Sequence, residues 1–178
     1  MTRYAMTVDE KLCVTCNACV VACKNENRVP EGSARCWTAQ LERGTFPLLS
    51  VETRSERCNH CESAPCVSAC PTRASHYEQG GVVVVAADKC VGCKACIIAC
   101  PYEVRYLHPD GYVDKCTWCL HRVKKGLDPA CVSVCPTGAL AFGDLDDPGS
   151  EVHQQLQARQ WFVLRPEEDT KPKHFFLT

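Results

Sequence analysis

Apolar side chains other than cysteine are scarce in this chain. Hydrophobic residues fill 46% of its 178 positions, but 17 of those residues are cysteines. The cysteines supply about 10 of those percentage points, and the remainder is thin for a self-sufficient core. Long hydrophobic runs are missing as well. The stretch from Val82 to Ala87 falls far short of the roughly 20 residues of a membrane-spanning helix, so no direct span is expected. There is no basic run and no interleaving of basic with aromatic residues, and the formal net charge is -1; nucleic-acid binding is excluded on that ground. No unpaired Ser–His or carboxylate constellation stands out, so the chain is not expected to be an enzyme by itself. No twin-arginine or secretory pattern precedes Met6.

What the chain has is cysteine in quartets. Cys90, Cys93, Cys96 and Cys100, followed by Pro101, have the spacing Cys-x2-Cys-x2-Cys-x3-Cys-Pro. This resembles the bacterial-ferredoxin run that holds a [4Fe-4S] cluster and whose fourth cysteine ligates a neighbouring cluster. Short gaps let a tight loop wrap three thiolates around one corner of the cube. Cys96 and Cys100 are four apart, as neighbours on a helix face are, so the fourth thiolate is carried toward a second cube. Cys13, Cys16, Cys19 and Cys23 repeat the spacing; Cys58, Cys61, Cys66 and Cys70 do so with a longer third gap; Cys116, Cys119, Cys131 and Cys135 carry an eleven-residue insert. Sixteen of the seventeen cysteines are used, and only Cys36 is left, read as a small buried hydrophobe. Sixteen thiolates around four cores of about +2 each would take the charge to about -9. Clusters in place of a core make metal binding and folding one process. An odd cysteine count and metal-type spacings argue against a disulfide scaffold. Zinc is the competing metal, since Cys-x2-Cys pairs also form zinc knuckles.

The organisation follows from these runs. Ala74–Tyr77, a glycine turn and Val82–Ala86 predict a β-hairpin between quartets two and three, so residues 53–108 resemble a complete two-cluster ferredoxin module. Quartets one and four then need each other. Candidate strands at Tyr4–Val8 and Ala139–Phe142, closed with residue 4 against residue 141, would rebuild the same hairpin from the two chain ends. The expected fold is α+β: two nested bacterial-ferredoxin-like modules, with short β-hairpins and short helices around four [4Fe-4S] clusters. The outer module is residues 1–52 and 109–147, the inner one 53–108, and 148–178 a C-terminal docking arm. With the fourth cysteine crossing over, as in ferredoxins, cluster A takes Cys13, Cys16, Cys19 and Cys135, and cluster B takes Cys116, Cys119, Cys131 and Cys23. Cluster C takes Cys58, Cys61, Cys66 and Cys100, and cluster D takes Cys90, Cys93, Cys96 and Cys70.

The remaining segments carry weaker signals. The insertion 24–57 reads as a docking surface or as a cover over the clusters, with a short strand at Leu48–Val51 and a turn at Glu42–Gly44. An acidic–basic pair precedes each quartet: Glu10-Lys11, Glu56-Arg57, Asp88-Lys89 and Asp114-Lys115. A cation there would favour a reduced cluster; the bland reading is a solvated, self-paired duo. His60 reads as a hydrogen-bond donor to a sulfide or a stacking partner, and Trp118 as insulation. A short helix is expected from Ser150, a possible N-cap. Trp161, Phe162, Phe175 and Phe176 are costly to leave in water and favour an arm wrapped on a partner.

RYAM at Arg3–Met6, CESAPC at Cys61–Cys66, the long segment from Ala99 to Arg122, and CPTGALAFGDLDDP at Cys135–Pro148 resemble the iron–sulfur subunits of molybdopterin oxidoreductases, of the polysulfide, thiosulfate, tetrathionate, arsenate and dimethyl sulfoxide reductase type. The resemblance reaches the C-terminal segment Leu164–Leu177. It implies an electron relay of four [4Fe-4S] clusters between a large molybdenum- or tungsten-bisMGD catalytic subunit and an integral-membrane, quinone-binding anchor. All sixteen ligand positions are cysteine here, where some relatives replace one. Cys23 departs from the pattern: Lys24, not proline, follows it. The resemblance places the protein peripheral to the cytoplasmic membrane, on the periplasmic side by co-export with the catalytic subunit; a cytoplasmic location stays open. The alternatives are a relay subunit of a cytoplasmic hydrogenase or formate dehydrogenase complex and, more remotely, a zinc-binding interaction module.

Overall fold

The structure is a computed structural model that describes residues 2–178. Its centre is β1, Tyr4–Asp9. The imperfect alternation of this segment has a physical reason: both of its faces are buried. Met6 and Val8 pack into the largest core cluster, among Cys19, Cys58, Cys116, Cys131 and Trp118. Ala5 packs on the other side with Ala141, Val152 and Phe175. A strand covered on both faces has no reason to alternate.

β8, Leu140–Asp144, lies antiparallel to β1. The two chain ends therefore pair as expected, but three residues out of the anticipated register: Tyr4 faces Asp144, and Ala141 faces Thr7. The Arg3 N–H donating to Asp144 Oδ1 at 2.9 Å extends the pairing. The helix expected from Ser150 is α6, Glu151–Ala158, which follows five helices of the cysteine quartets, four of them single turns. Ser150 stands at its N-cap position but its hydroxyl makes no capping hydrogen bond. Thr7 and Gln155, at 2.6 Å, tie α6 to the sheet.

Phe175 and Phe176, expected to be covered by a partner, are covered by the chain itself. β10, His174–Leu177, runs parallel to β1, and β9, Trp161–Phe162, completes a sheet in the order β8-β1-β10-β9. Phe175 and Phe176 are buried against the chain's own strands. Upstream of β10, Lys173 N–H donates to the Asn59 carbonyl at 2.9 Å and Glu62 N–H to the Lys171 carbonyl at 2.9 Å, lashing the loop of quartet two to the sheet. Apolarity announces that a residue will be covered, not by what, and a parallel pairing of residue 6 with residue 174 leaves no local signal. Of the four aromatics only Trp161 stays half exposed, at 47%. Phe176→Ala is therefore expected to cost about 3–5 kcal/mol, read as a lowered denaturant midpoint of the iron-loaded protein. Trp161→Ala should cost far less.

The insertion forms one long hairpin, β2 Cys36–Thr45 and β3 Leu48–Arg57. Glu42–Gly44 is strand, not turn; the tip is Phe46-Pro47, joined by a cis peptide bond. Gly44 had suggested a turn because it is glycine. It is required instead by a close approach, since a Cβ there would lie 2.2 Å from the Leu48 carbonyl oxygen. The tip carries exposed Phe46, Leu48, Leu49 and Val51, while Cys36, Ser55 and Arg57 at the base are buried. The expected inner hairpin is β4, Ser75–Glu78, with β5, Val82–Val85. A small ladder of β6, Tyr106–Leu107, and β7, Val113–Asp114, leads to quartet four. No helix of the described residues is long and apolar enough to cross a membrane.

Candidate metal centres

Each quartet is a loop closed by a helix. In quartets two, three and four the helices are single turns: α2 Pro65–Ser68, α3 Ala95–Ile98 and α5 Ala130–Ser133. Cys70, Cys100 and Cys135 come one residue beyond them, after Ala69, Ala99 and Val134, each with a proline behind it, and a residue before proline is pushed out of helical geometry. Quartet one lacks that proline, and α1 runs on from Ala18 to Asn27. The extra turn delivers Asn27, whose Nδ2 lies 3.6 Å from both Cys23 Sγ and Cys119 Sγ. The missing proline thus places a donor between two thiols from different quartets. Another short helix, α4 Leu120–Val123, opens the insert of quartet four.

Thr15, His60, Gly92 and Trp118 occupy the same place in the four loops, just before the second cysteine, and all have positive φ. This conformation is costly for a β-branched or bulky residue. It turns backbone N–H groups inward, and a concavity of N–H groups suits anions. Trp118 N–H points at Cys116 Sγ at 3.4 Å, Val113 N–H at Cys90 Sγ at 3.3 Å, and Ser75 N–H at Cys70 Sγ at 3.4 Å. Gly92 could carry no side chain there, because a Cβ would meet the Gly111 carbonyl at 2.4 Å.

The thiols gather across quartets. Cys13, Cys16, Cys19 and Cys135 line one hollow. Cys58, Cys61, Cys66 and Cys100 line a second. Cys23 meets Cys119 through Asn27, and Cys116 and Cys131 lie around the guanidinium of Arg57. Burial, and after it the thiols of Cys70 and Cys90, push Cys96 up against the pull of Arg105. Burial likewise pushes Cys61 up to about 12, and raises Cys116 further. Such thiols ionise only with cationic help. Among the described residues no three His, Cys, Asp or Glu side chains are gathered as a single metal ion would need. A hollow walled by spaced thiols is what a cube-shaped cluster fits.

Buried polar groups stand between the gatherings. Arg57, 1% exposed, donates from Nη1 to Cys131 Sγ at 2.8 Å and from Nη2 to the Ser55 hydroxyl, which lies 3.3 Å from Cys19 Sγ. Lys115 donates to the carbonyls of Val83 and Cys116 and lies within the field of Cys58, Cys116 and Cys66; burial dominates and lowers its pKa. Arg105, 5% exposed, donates to Cys66 Sγ at 2.8 Å and Ser75 Oγ at 3.0 Å. The acidic–basic pairs thus divide. Arg57 and Lys115 are buried beside thiols, whereas Lys11 and Lys89 are in solvent. None of the four is self-paired among the described residues: Glu10 bonds Arg54 at 2.6 Å and Asp114 takes both arms of Arg35. Arg105 belongs to no such pair and had no signal in the sequence beyond its place after quartet three.

His60 of quartet two and Trp118 of quartet four pack ring on ring, centres 4.0 Å apart and tilted by 32°. His60 Nδ1 accepts from Val83 N–H at 3.0 Å, and burial, followed by the charge of Lys115, holds the ring well below the ordinary histidine pKa, hence neutral. Its Nε2, like Trp118 Nε1 and several guanidinium nitrogens, has no protein partner. Unmet buried donors around thiols fit an anionic group in the hollows. Cys36 is buried as expected, and donates to the Cys19 carbonyl at 3.6 Å. Cys16 and Cys93 are the exposed thiols; those gathered around Arg57, Asn27 and His60 are buried.

Residues 49–145 match the family described as 4Fe-4S dicluster domain, and residues 10–26 match the 4Fe-4S binding domain. The chain is 44% identical to the B subunit of polysulfide reductase from Wolinella succinogenes over 98% of its own length and 94% of the relative's. It is 46% identical to protein NrfC of Escherichia coli K12, over 96% and 78% of the two chains. To the thiosulfate reductase electron transfer subunit PhsB of Salmonella typhi it is 46% identical, over 90% of each.

Proposed function

We propose that this chain, which belongs to the iron–sulfur 4Fe-4S electron-transfer subunits of reductase complexes, relays electrons through four [4Fe-4S] clusters. Cluster A is held by Cys13, Cys16, Cys19 and Cys135, and B by Cys116, Cys119, Cys131 and Cys23. Cluster C is held by Cys58, Cys61, Cys66 and Cys100, and D by Cys90, Cys93, Cys96 and Cys70. Bound clusters supply one-electron transfer; the protein supplies position, insulation and tuning. The outer pair, A and B, and the inner pair, C and D, are the two nested ferredoxin-like modules, with β1–β8 and β4–β5 as their equivalent hairpins. The relay connects a molybdenum- or tungsten-bisMGD catalytic subunit with a quinone-binding membrane anchor, on the periplasmic side, and the substrate is transformed by the catalytic subunit.

One observation carries this reading: all the thiols assigned to B and C are buried, whereas A and D each hold one fully exposed thiol, Cys16 and Cys93. Exposed apolar side chains neighbour both in the sequence, Leu12 and Val14 near Cys16, Val91 and Ile98 near Cys93. Exposed apolar side chains of this kind suit docked partners. Inside, the residues of the chain keep water out and hold cations and N–H donors against the thiols. The test is the iron and acid-labile sulfide content of anaerobically purified protein, followed by EPR during a dithionite titration. About sixteen of each per chain are expected, four per [4Fe-4S] cluster. Zinc without sulfide would overturn the reading.

A further inference from the structure

We propose that Arg57 and Arg105 are a functionally equivalent pair, one in each two-cluster module, and that each raises the reduction potential of both clusters in its own module. This rests on the four-cluster reading above. The contacts of the two side chains correspond. Each guanidinium donates at 2.8 Å to the third cysteine of a quartet, Cys131 for Arg57 and Cys66 for Arg105. Each also bonds a serine hydroxyl, Ser55 or Ser75. Each reaches the third cysteine of the other quartet in its module. Ser55 Oγ lies 3.3 Å from Cys19 Sγ, and the charge of Arg105 acts on Cys96 against the larger upward push of burial.

The correspondence is not a repeat of the sequence. Arg57 ends β3 and stands immediately before quartet two, yet it serves quartets one and four. Arg105 comes after quartet three and serves quartets two and three. Two different stretches of chain put the same group in the same place.

Neither arginine has a carboxylate partner among the described residues, in contrast to Arg35 with Asp114 and Arg54 with Glu10. Both also keep unmet donors, Nε of Arg57 and Nε and Nη1 of Arg105. A buried cation without an anion is costly, and a guanidinium does not escape by losing its proton. Its counter-charge must be the thiolate-bound group itself. Reduction adds one electron to that group and makes or breaks no bond in the protein. A fixed cation and N–H donors at the sulfurs stabilise the more negative state more, which raises the potential. One guanidinium between two clusters acts on both.

Anaerobic EPR titration of Arg57→Gln and Arg105→Gln tests this. Each variant should weaken reduction of two of the four clusters by at least tenfold, about 59 mV for a one-electron couple. The two variants should move complementary pairs. Arg57→Lys, which keeps the charge, should stay nearer the unsubstituted protein than Arg57→Gln. Four unmoved midpoints at full iron content, or the same pair moved by both variants, would overturn the proposal. If Arg57→Gln fails to hold iron, Ser55→Ala is measured instead. It removes only the link to Cys19 and should lower one midpoint; no shift again overturns the proposal. An iron count well below sixteen in the unsubstituted protein sinks the relay reading itself and is seen before any variant is made.

Discussion

Cys23→Ser should cost the protein the cluster of Cys116, Cys119 and Cys131 and spare that of Cys13, Cys16 and Cys19, its own neighbours in sequence. Iron should fall from about sixteen to about twelve per chain, or the affected cluster should survive with an altered EPR signal. The reason lies in α1. Cys19 and Cys23 are one helical turn apart, and Cys19 belongs to the hollow of Cys13, Cys16 and Cys135. Cys23 shares its hydrogen-bond donor, Asn27, with Cys119 from the far end of the chain. Contacts between α1 and α5 seat it there. Double variants decide the assignment, because losses that share a site do not add. Cys116→Ser with Cys23→Ser should lose no more iron than Cys116→Ser alone, whereas Cys13→Ser with Cys23→Ser should lose two clusters. The reverse result would break the crossed pairing and, with it, the nesting of the two modules.

The parts legible in the sequence are those fixed by short spacing. The loop and helix of each quartet follow from two- and three-residue gaps and a proline. The β4–β5 hairpin follows from valines beside a glycine turn. The strand at Tyr4 and its partner near Leu140 were legible because a repeated module needs them; their register was not, since nothing local distinguishes Ala141 from Asp144 as the partner of Tyr4. The long-range features were not legible. That β10 slots in beside β1 depends on a contact between opposite ends of the chain. That Arg57 is buried between thiols while Lys11 and Lys89 are in water depends on what packs over each pair, since all are written as one acid followed by one base. Arg105 could have been suspected only from the observation that sixteen thiolates need more buried positive charge than two of the four pairs supply.

Stripping the iron should abolish the fold rather than loosen it. Five of the thirteen residues in the largest core cluster are cysteines, and so are three of six in the second. Without clusters these thiols line hollows with nothing inside to pack against, and side chains that lose their packing partners cost stability. Ordinary domains have only about 5–15 kcal/mol to lose, and a structural metal site can contribute that much by itself. The remaining cluster, Ala5, Ala141, Val152 and Phe175, is too small to compensate. The electrostatics point the same way. Arg57, Lys115 and Arg105 are buried without carboxylate partners, and protonated thiols, which burial favours, leave those cations uncompensated. The apo chain, made with an oxidant and chelator and then kept reduced, should show no cooperative thermal transition and rapid hydrogen exchange throughout, β1 included. Slow exchange surviving in β1, β8 and β10 would mean that the sheet folds by itself and the clusters only decorate it. Its loss together with the iron would mean that the relay and the core are one object, so that any substitution weakening a cluster must be read first as a change in stability and only then as a change in electron transfer.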